Sequence, residues 1–267
     1  MRIHPTAIVS KKSKVSEDTV VGPYSIIDDN VTIGSRSTLG AFCVIEGNTK
    51  IGKNCQVFTG AVLGSTPQDL KYKGDKSSLE IGDNNIIREY CTFNPGTEDG
   101  GKTLVGNNNL FMAYAHVAHD CVVGNNCIIA NNGTLAGHVT VEDNVVIGGF
   151  GGIHQFVRIG KLAIVGGCSK VVQDIPPYAI CDGHPARLYG LNLVGLERNK
   201  ISKAAIRELK VAFRLLFNSR LTLKNALKQL QAKVNHCPEV ACLMDFIKCE
   251  SSRGIARSCR SKLRSQE

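Results

Sequence analysis

Branched aliphatic residues return along this chain at every sixth position. Ile3, Val9, Val15, Val21, Ile27, Ile33, Leu39, Ile45, Ile51, Val57 and Leu63 keep one phase. The phase breaks across 65–79, resumes at Ile81, Ile87 and Phe93, and breaks again across 94–103. It then runs from Val105 and Phe111 through Val117, Val123, Ile129, Leu135, Val141, Ile147, Ile153, Ile159 and Val165 to Val171. Glycine often follows the aliphatic residue, as at Gly22, Gly34, Gly40, Gly52 and Gly64, and the fourth position after it is mostly small. A period of six suits neither a single helix nor a single strand. It suits a parallel β-helix in which each hexapeptide supplies one short strand and one turn. Three hexapeptides close a triangular coil, and coils stack at the strand spacing of about 4.8 Å. The two breaks are then loops that bulge from a rigid scaffold, a usual place for functional residues.

Pro176 and Pro177 are expected to end the β-helix, and after residue 190 the pattern becomes helical. Ser202 reads as the N-cap of a helix over Lys203–Asn218, with Ile206, Leu209, Ala212, Phe213, Leu216 and Phe217 as its apolar stripe. Further helices are predicted over Leu223–Val234 and Glu239–Lys248, and the basic tail from Ser251 is expected to be loose. The organisation is therefore a β-helix domain over 1–190 with two protruding loops (65–79, 94–103), followed by a small α-helical C-terminal domain over 191–267.

Charge sharpens this division. Residues 190–267 hold 16 Lys and Arg against 6 Asp and Glu, so they carry the whole excess of a chain whose net charge is +9. A solvated helical surface explains that; so does an acidic partner, whether nucleic acid, anionic membrane or an acidic carrier protein. No apolar run is long enough for a membrane span, and the N-terminus has no secretory signal. A cytoplasmic protein is expected. Its 11 cysteines lack zinc-site spacing and read as reduced, mostly packed thiols.

Four of the seven histidines lie between residues 116 and 154. With 18 residues per coil, His119, Gly137 and Gln155 form one column, Asp120, His138 and Phe156 the next, and Ala118, Ala136 and His154 the one before. His119, His138 and His154 should therefore converge on one patch, with His116 nearby. All four sit off the inward positions, so most should point out of the prism, as solvent-facing or subunit-contact histidines also would. The clustering favours a functional site. A neutral imidazole can take a proton from an attacking hydroxyl near neutral pH. Asp120 can orient His119, and the Gly137 N–H can meet a developing oxyanion at close range. No serine or cysteine nucleophile stands in these columns, which favours direct transfer over a covalent intermediate. Zinc ligation is the other use of three histidines, though flat strands do not obviously supply its tetrahedral geometry.

At these residues the sequence resembles the UDP-N-acetylglucosamine acyltransferases. The resemblance is carried by Gln68-Asp69-Leu70-Lys71-Tyr72, Ile87-Arg88-Glu89, Ala115-His116-Val117-Ala118-His119-Asp120-Cys121, Leu135-Ala136-Gly137-His138-Val139, His154-Gln155-Phe156, Val165-Gly166-Gly167-Cys168-Ser169 and Asp174-Ile175-Pro176-Pro177-Tyr178. It extends through Gly195-Leu196-Glu197-Arg198. It implies a left-handed β-helix, a handedness that the period alone does not give. It implies transfer of a 3-hydroxyacyl group from acyl carrier protein to the 3-hydroxyl of UDP-GlcNAc, the first step of lipid A biosynthesis. The protein itself would need no cofactor, since the acyl donor rides on the phosphopantetheine of the carrier. By the same resemblance His119 is the general base, Asp120 its partner and Gly137 the oxyanion donor. His116, His138, His154 and Gln155 line the substrate cleft, Gln68 and Lys71 reach it from the first loop, and Asn192 and Arg198 from the C-terminal side. Gly167 sits where the family sets acyl chain length. Family members are homotrimers with active sites between subunits, and the basic C-terminal segment would meet the acidic carrier protein. The chain departs from the family at Asn94-Pro95, Val194 and Asn199, positions expected to touch sugar, phosphate or acyl chain.

Two other readings use the same scaffold. One is a related hexapeptide transferase, either an N-acyltransferase on an amino sugar or a coenzyme A-dependent acetyltransferase; Gly183-His184-Pro185-Ala186-Arg187 resembles the loop that closes acetyltransferase β-helices. The Gln68–Tyr72 loop and the basic helical segment weigh against acetyl transfer. The other is a non-catalytic scaffold, against which the convergent histidines and Asp120 weigh. Nucleic acid is disfavoured because no aromatic stacking pattern accompanies the charge.

Overall fold

A computed structural model describes residues 2–233 and 237–259. The chain winds as a left-handed parallel β-helix whose strands, mostly two residues long, stack into three flat sheets of 11, 9 and 8 strands. Registers are parallel and uniform: Val117 pairs with Leu135, and Leu135 with Ile153. The inward aliphatic residues form one continuous core, with Ile45, Leu63, Ile129, Leu135 and Ile147 fully buried.

The corners explain the rest of the repeat. At most corners the third residue after the aliphatic position takes a left-handed backbone conformation, with φ from +54° to +66° at Asn54, Asn84, Asn108, Asn126, Asn132 and Asn144, and also at Tyr90, Asp120, His138 and Phe156. Asparagine tolerates this region better than most residues. The small residue that follows is buried and answers the corner's carbonyls: Ser25 Oγ donates to the Gly40 carbonyl at 2.8 Å and Ser37 Oγ to that of Gly52 at 2.9 Å. Cys43, Cys55, Cys91, Cys121 and Cys127 occupy the same slot, and burial pushes the Cys121 thiol up to about 12. The glycine after the aliphatic residue is required by coil stacking. A Cβ at Gly22 would sit 2.5 Å from the Gly40 carbonyl oxygen.

The structure refines several boundaries. The first loop ends before Ser78, because Ser78–Ile81 joins the sheet, with Leu79 opposite Thr49 and Thr103. Pro176 and Pro177 do not end the β-helix. The chain makes one more parallel strand, with Ile180 and Cys181 beside Ile164 and Val165, and then an antiparallel hairpin of Ala179–Gly183 with Ala186–Leu191. Four helices follow: α1 (Leu193–Arg198), α2 (Lys203–Phe217), α3 (Leu223–Lys233) and α4 (Pro238–Lys248). Ser202 caps α2 by accepting from the Ala205 N–H at 3.1 Å. Val234, expected to end the second predicted helix, lies outside the described residues.

The helical segment is joined firmly to the prism. Leu162 and Tyr178 of the β-helix pack with Leu209, Leu230 and Leu243, while Phe213 of α2 enters the β-helix core. The tail is not loose as far as Cys259. Asp174 bridges Ile255 and Leu188 bridges Ser258, because the last coil leaves backbone groups that the tail pairs with. Asp174 is fully buried. Its carboxylate accepts from the Arg158 backbone N–H at 2.9 Å and from Arg158 Nε at 2.8 Å, and the Arg158 guanidinium lies 4.5 Å from the centre of the Phe246 ring in α4. Removing one partner of a buried pair leaves an uncompensated charge. Asp174→Ala should therefore lower unfolding free energy by about 3–5 kcal/mol in denaturant titration, and should raise amide exchange over 238–259 before it does so in the central coils.

Candidate active site

Both interruptions of the repeat leave the prism at one corner. Leu63 pairs with Phe93, and Phe93 with Val117, so the loops after Leu63 and Phe93 emerge on the two coils directly below His119. They cover it. His119 is 7% exposed, although it sits off the inward positions. The expectation that most of the histidines face outward fails for this one, because the loops roof the corner.

The predicted columns form as expected. The His138 N–H donates to the His119 carbonyl at 3.0 Å, and the Phe156 N–H to that of Gly137 at 3.2 Å. The His119 ring lies directly on Gly137. A Cβ there would stand 2.5 Å from the imidazole Nε2, so only glycine fits beneath the ring. No acceptor among the described residues takes the Gly137 N–H. His119 meets His138 edge-on at 5.2 Å between ring centres, and His138 stacks on Phe156 at 4.6 Å.

Asp120 is the hub of the cluster. Its Oδ2 lies 2.9 Å from His119 Nδ1 and 3.7 Å from His138 Nε2. Thr97 of the second loop donates to the same oxygen from Oγ1 at 2.7 Å, and its backbone N–H reaches both carboxylate oxygens at 3.2–3.3 Å. Burial alone would raise the Asp120 pKa. The hydrogen bonds from Thr97 and His119, with the nearby His138, outweigh it and hold the carboxyl below its ordinary value. An ionised Asp120 on Nδ1 keeps the proton there and leaves Nε2 free as a base. On that side stands Asp69 of the first loop, its Oδ2 3.9 Å from Nε2 and its other oxygen accepting from the Lys71 N–H at 2.9 Å. A hydroxyl oxygen about 2.8 Å from each fits between them. His119, Asp120 and His138 are close enough in principle to share a metal ion. Yet Nδ1 and Oδ2 stand at hydrogen-bond distance, closer than the roughly 3.3 Å between two ligands of a tetrahedral zinc, so the pair is built for a proton.

Comparison with known proteins agrees with this geometry. A family model described as UDP-N-acetylglucosamine O-acyltransferase, domain 2, matches residues 174–256, and one for bacterial transferase hexapeptides matches 12–47 and 102–137. The acyl-[acyl-carrier-protein]–UDP-N-acetylglucosamine O-acyltransferase of Myxococcus xanthus is 50% identical over 257 residues, covering 96% of this chain and 99% of its own. Its counterpart in Thiobacillus denitrificans is 45% identical over the same shares. The structure of LpxA from Acinetobacter baumannii superposes with a TM-score of 0.92 at 42% identity, covering 96% of this chain and 99% of that one. The chain belongs to the UDP-N-acetylglucosamine O-acyltransferase family.

The residues expected to line the cleft of this acyltransferase are less tightly gathered within one chain. His116 is half-buried on the neighbouring face, its Nδ1 2.7 Å from Thr92 Oγ1, and burial lowers its pKa. His154 is exposed and Gln155 partly so, with His154 Nδ1 3.2 Å from the Gln155 carbonyl. Gln68 and Lys71 are exposed beside Asp69. Asn192 is 4% exposed and caps α1, accepting from the Gly195 N–H and donating to the Leu162 carbonyl; Arg198 is exposed in the last turn of the same helix. No contact among the described residues joins these two to His119. Gly167 is open, and a Cβ there would touch only the Gly149 carbonyl, at 3.4 Å.

Of the departures from the family, Asn94 is 1% exposed and donates to the Ser65 and Thr66 carbonyls, tying the two loops together, while Asn199 caps the C-terminus of α1 and Val194 is exposed. Asp69 and Thr97 were not among the residues singled out from sequence. Counting the loops out of the 18-residue coil would have placed both breaks on the His119 corner.

Gly137→Ala should reduce turnover by about a hundredfold or more, with a stability loss in thermal unfolding of no more than about 1–3 kcal/mol from the overpacked corner. The added methyl group displaces the His119 ring and crowds the free N–H.

Proposed function

We propose that this acyltransferase moves a 3-hydroxyacyl chain from the thioester of acyl carrier protein to the 3-hydroxyl of UDP-GlcNAc, the first step of lipid A biosynthesis. The observation that carries this reading is the His119 ring, backed by Asp120 on Nδ1 and resting on Gly137, whose N–H has no acceptor among the described residues. His119 Nε2 takes the hydroxyl proton as the oxygen attacks the thioester carbonyl. The Gly137 N–H holds the oxyanion of the tetrahedral intermediate. Collapse expels the carrier thiolate, which receives the proton from His119. Transfer is direct, with no acyl-enzyme, and uses no metal or cofactor of the protein's own. Burial of His119 beneath the loops keeps water from competing for the thioester.

In this reading the protein works in the cytoplasm as a homotrimer, and the clefts lie between subunits. Gln68, Lys71, His116, His138, His154, Gln155, Asn192 and Arg198 contact the sugar nucleotide or acyl donor there. The basic segment beyond residue 190 receives the acidic carrier protein. Among the described residues no helix is long and apolar enough to cross a membrane. A Cβ at Gly167 would touch only the Gly149 carbonyl, so in this reading the acyl chain has room at the position that bounds its length.

Acyl transfer from 3-hydroxyacyl carrier protein to UDP-GlcNAc should be measurable with the unmodified protein. It should fall by about a hundred- to ten-thousandfold in a folded His119→Ala variant; no transfer by the unmodified protein, but transfer to the 3-amino analogue, would reassign the acceptor to an amino sugar. A fourteen-carbon donor should outperform a ten-carbon donor, and equal or better activity with the shorter chain would contradict the role given to Gly167.

A further inference from the structure

The second break in the repeat has a specific destination. It leaves the corner one coil below His119 and turns back over Asp120. Three backbone hydrogen bonds fix it: Gly96 N–H to the Ser78 carbonyl at 3.3 Å, Ser78 N–H to that of Gly101 at 3.0 Å, and Gly100 N–H to that of Lys76 at 2.8 Å. Its glycines are needed for the close approach. A Cβ at Gly96 would stand 2.6 Å from the Lys102 nitrogen and 2.8 Å from Asp120 Oδ1, and one at Gly101 would stand 3.3 Å from the same oxygen. The residue this arrangement delivers is Thr97. It gives Asp120 one short hydroxyl bond and one forked backbone bond.

We propose that Thr97 is a positioning residue for acyl transfer, holding the Asp120 carboxylate against His119 Nδ1 and away from His138. The inference rests on the reading of His119 as general base. Asp120 Oδ2 has two imidazoles within reach, at 2.9 Å and 3.7 Å. A carboxylate free to rotate would divide itself between them. The Thr97 hydroxyl, 2.7 Å from that same oxygen, fixes the rotamer in which His119 is served. Thr97 touches neither imidazole among the described contacts, so it acts through Asp120 alone.

A double-mutant cycle with steady-state kinetics on the full chain tests this. Hydrogen bonds to charged groups of this strength imply that Thr97→Val lowers kcat by about ten- to a hundredfold, with KM for UDP-GlcNAc little changed. Thr97→Ser, which keeps the hydroxyl, should restore most of the rate. Added to Asp120→Asn, Thr97→Val should cost nothing further, because the group it positions is already gone. Multiplicative losses in the double variant, or a Thr97→Val enzyme with unmodified kcat, would overturn the proposal. A misfolded Thr97→Val enzyme would be recognised by its thermal unfolding, and Thr97→Ser against Thr97→Ala would then carry the comparison. His119→Ala measured alongside separates the two claims. If that variant keeps its activity, the general-base reading fails; if it is inactive while Thr97→Val is not, this proposal alone fails.

Discussion

Each inward aliphatic side chain rests on its counterpart one coil away, and that contact governs everything else in the molecule. A hexapeptide strand is too short to be stable alone. It holds because Leu135 sits between Val117 and Ile153, and so on along the prism. Because neighbouring coils pair residue for residue, a slip by one position would turn the buried set outward. The stack is therefore a ruler as well as a core. It places any residue off the inward positions at a defined corner and height.

The site exploits that ruler. His119 and Gly137 are 18 residues apart and in contact because they occupy the same corner on adjacent coils. The same register puts Asp120 beneath His138 and stacks His138 on Phe156. A rigid prism can set these groups but cannot enclose them, since its corners are convex. Enclosure comes from the two loops, which leave from the same corner on the two coils below and bring Asp69 and Thr97 against the pair. Strict repetition supplies the geometry, and interruption of the repeat supplies the burial and the second ring of partners.

That division also explains what could be read from the residues alone. The period exposed the β-helix, and coil arithmetic aligned His119, Gly137 and Asp120, because both depend only on counting. Ser202 was recognisable as a cap because capping is local. Asp69, Thr97 and the burial of His119 were not, because the loops have no period and their landing point depends on contacts far away in sequence. The ordered tail was missed for a similar reason. Ile255 and Ser258 look like any polar terminus until Asp174 and Leu188 are seen offering them unpaired backbone. Nor did the residues show that the Asn192 side chain, within one chain, caps α1 and donates to the Leu162 carbonyl 30 residues away.

The central claim is that His119 is the proton acceptor in a direct acyl transfer. The pH dependence of kcat/KM tests it most directly, measured for the unmodified protein and for the residual activity of His119→Gln. A group that must be deprotonated to act gives the rate an acidic limb. The account predicts that the unmodified protein shows this limb and that the variant loses it. Retention of the same limb in the variant would place the base on another residue and contradict the account.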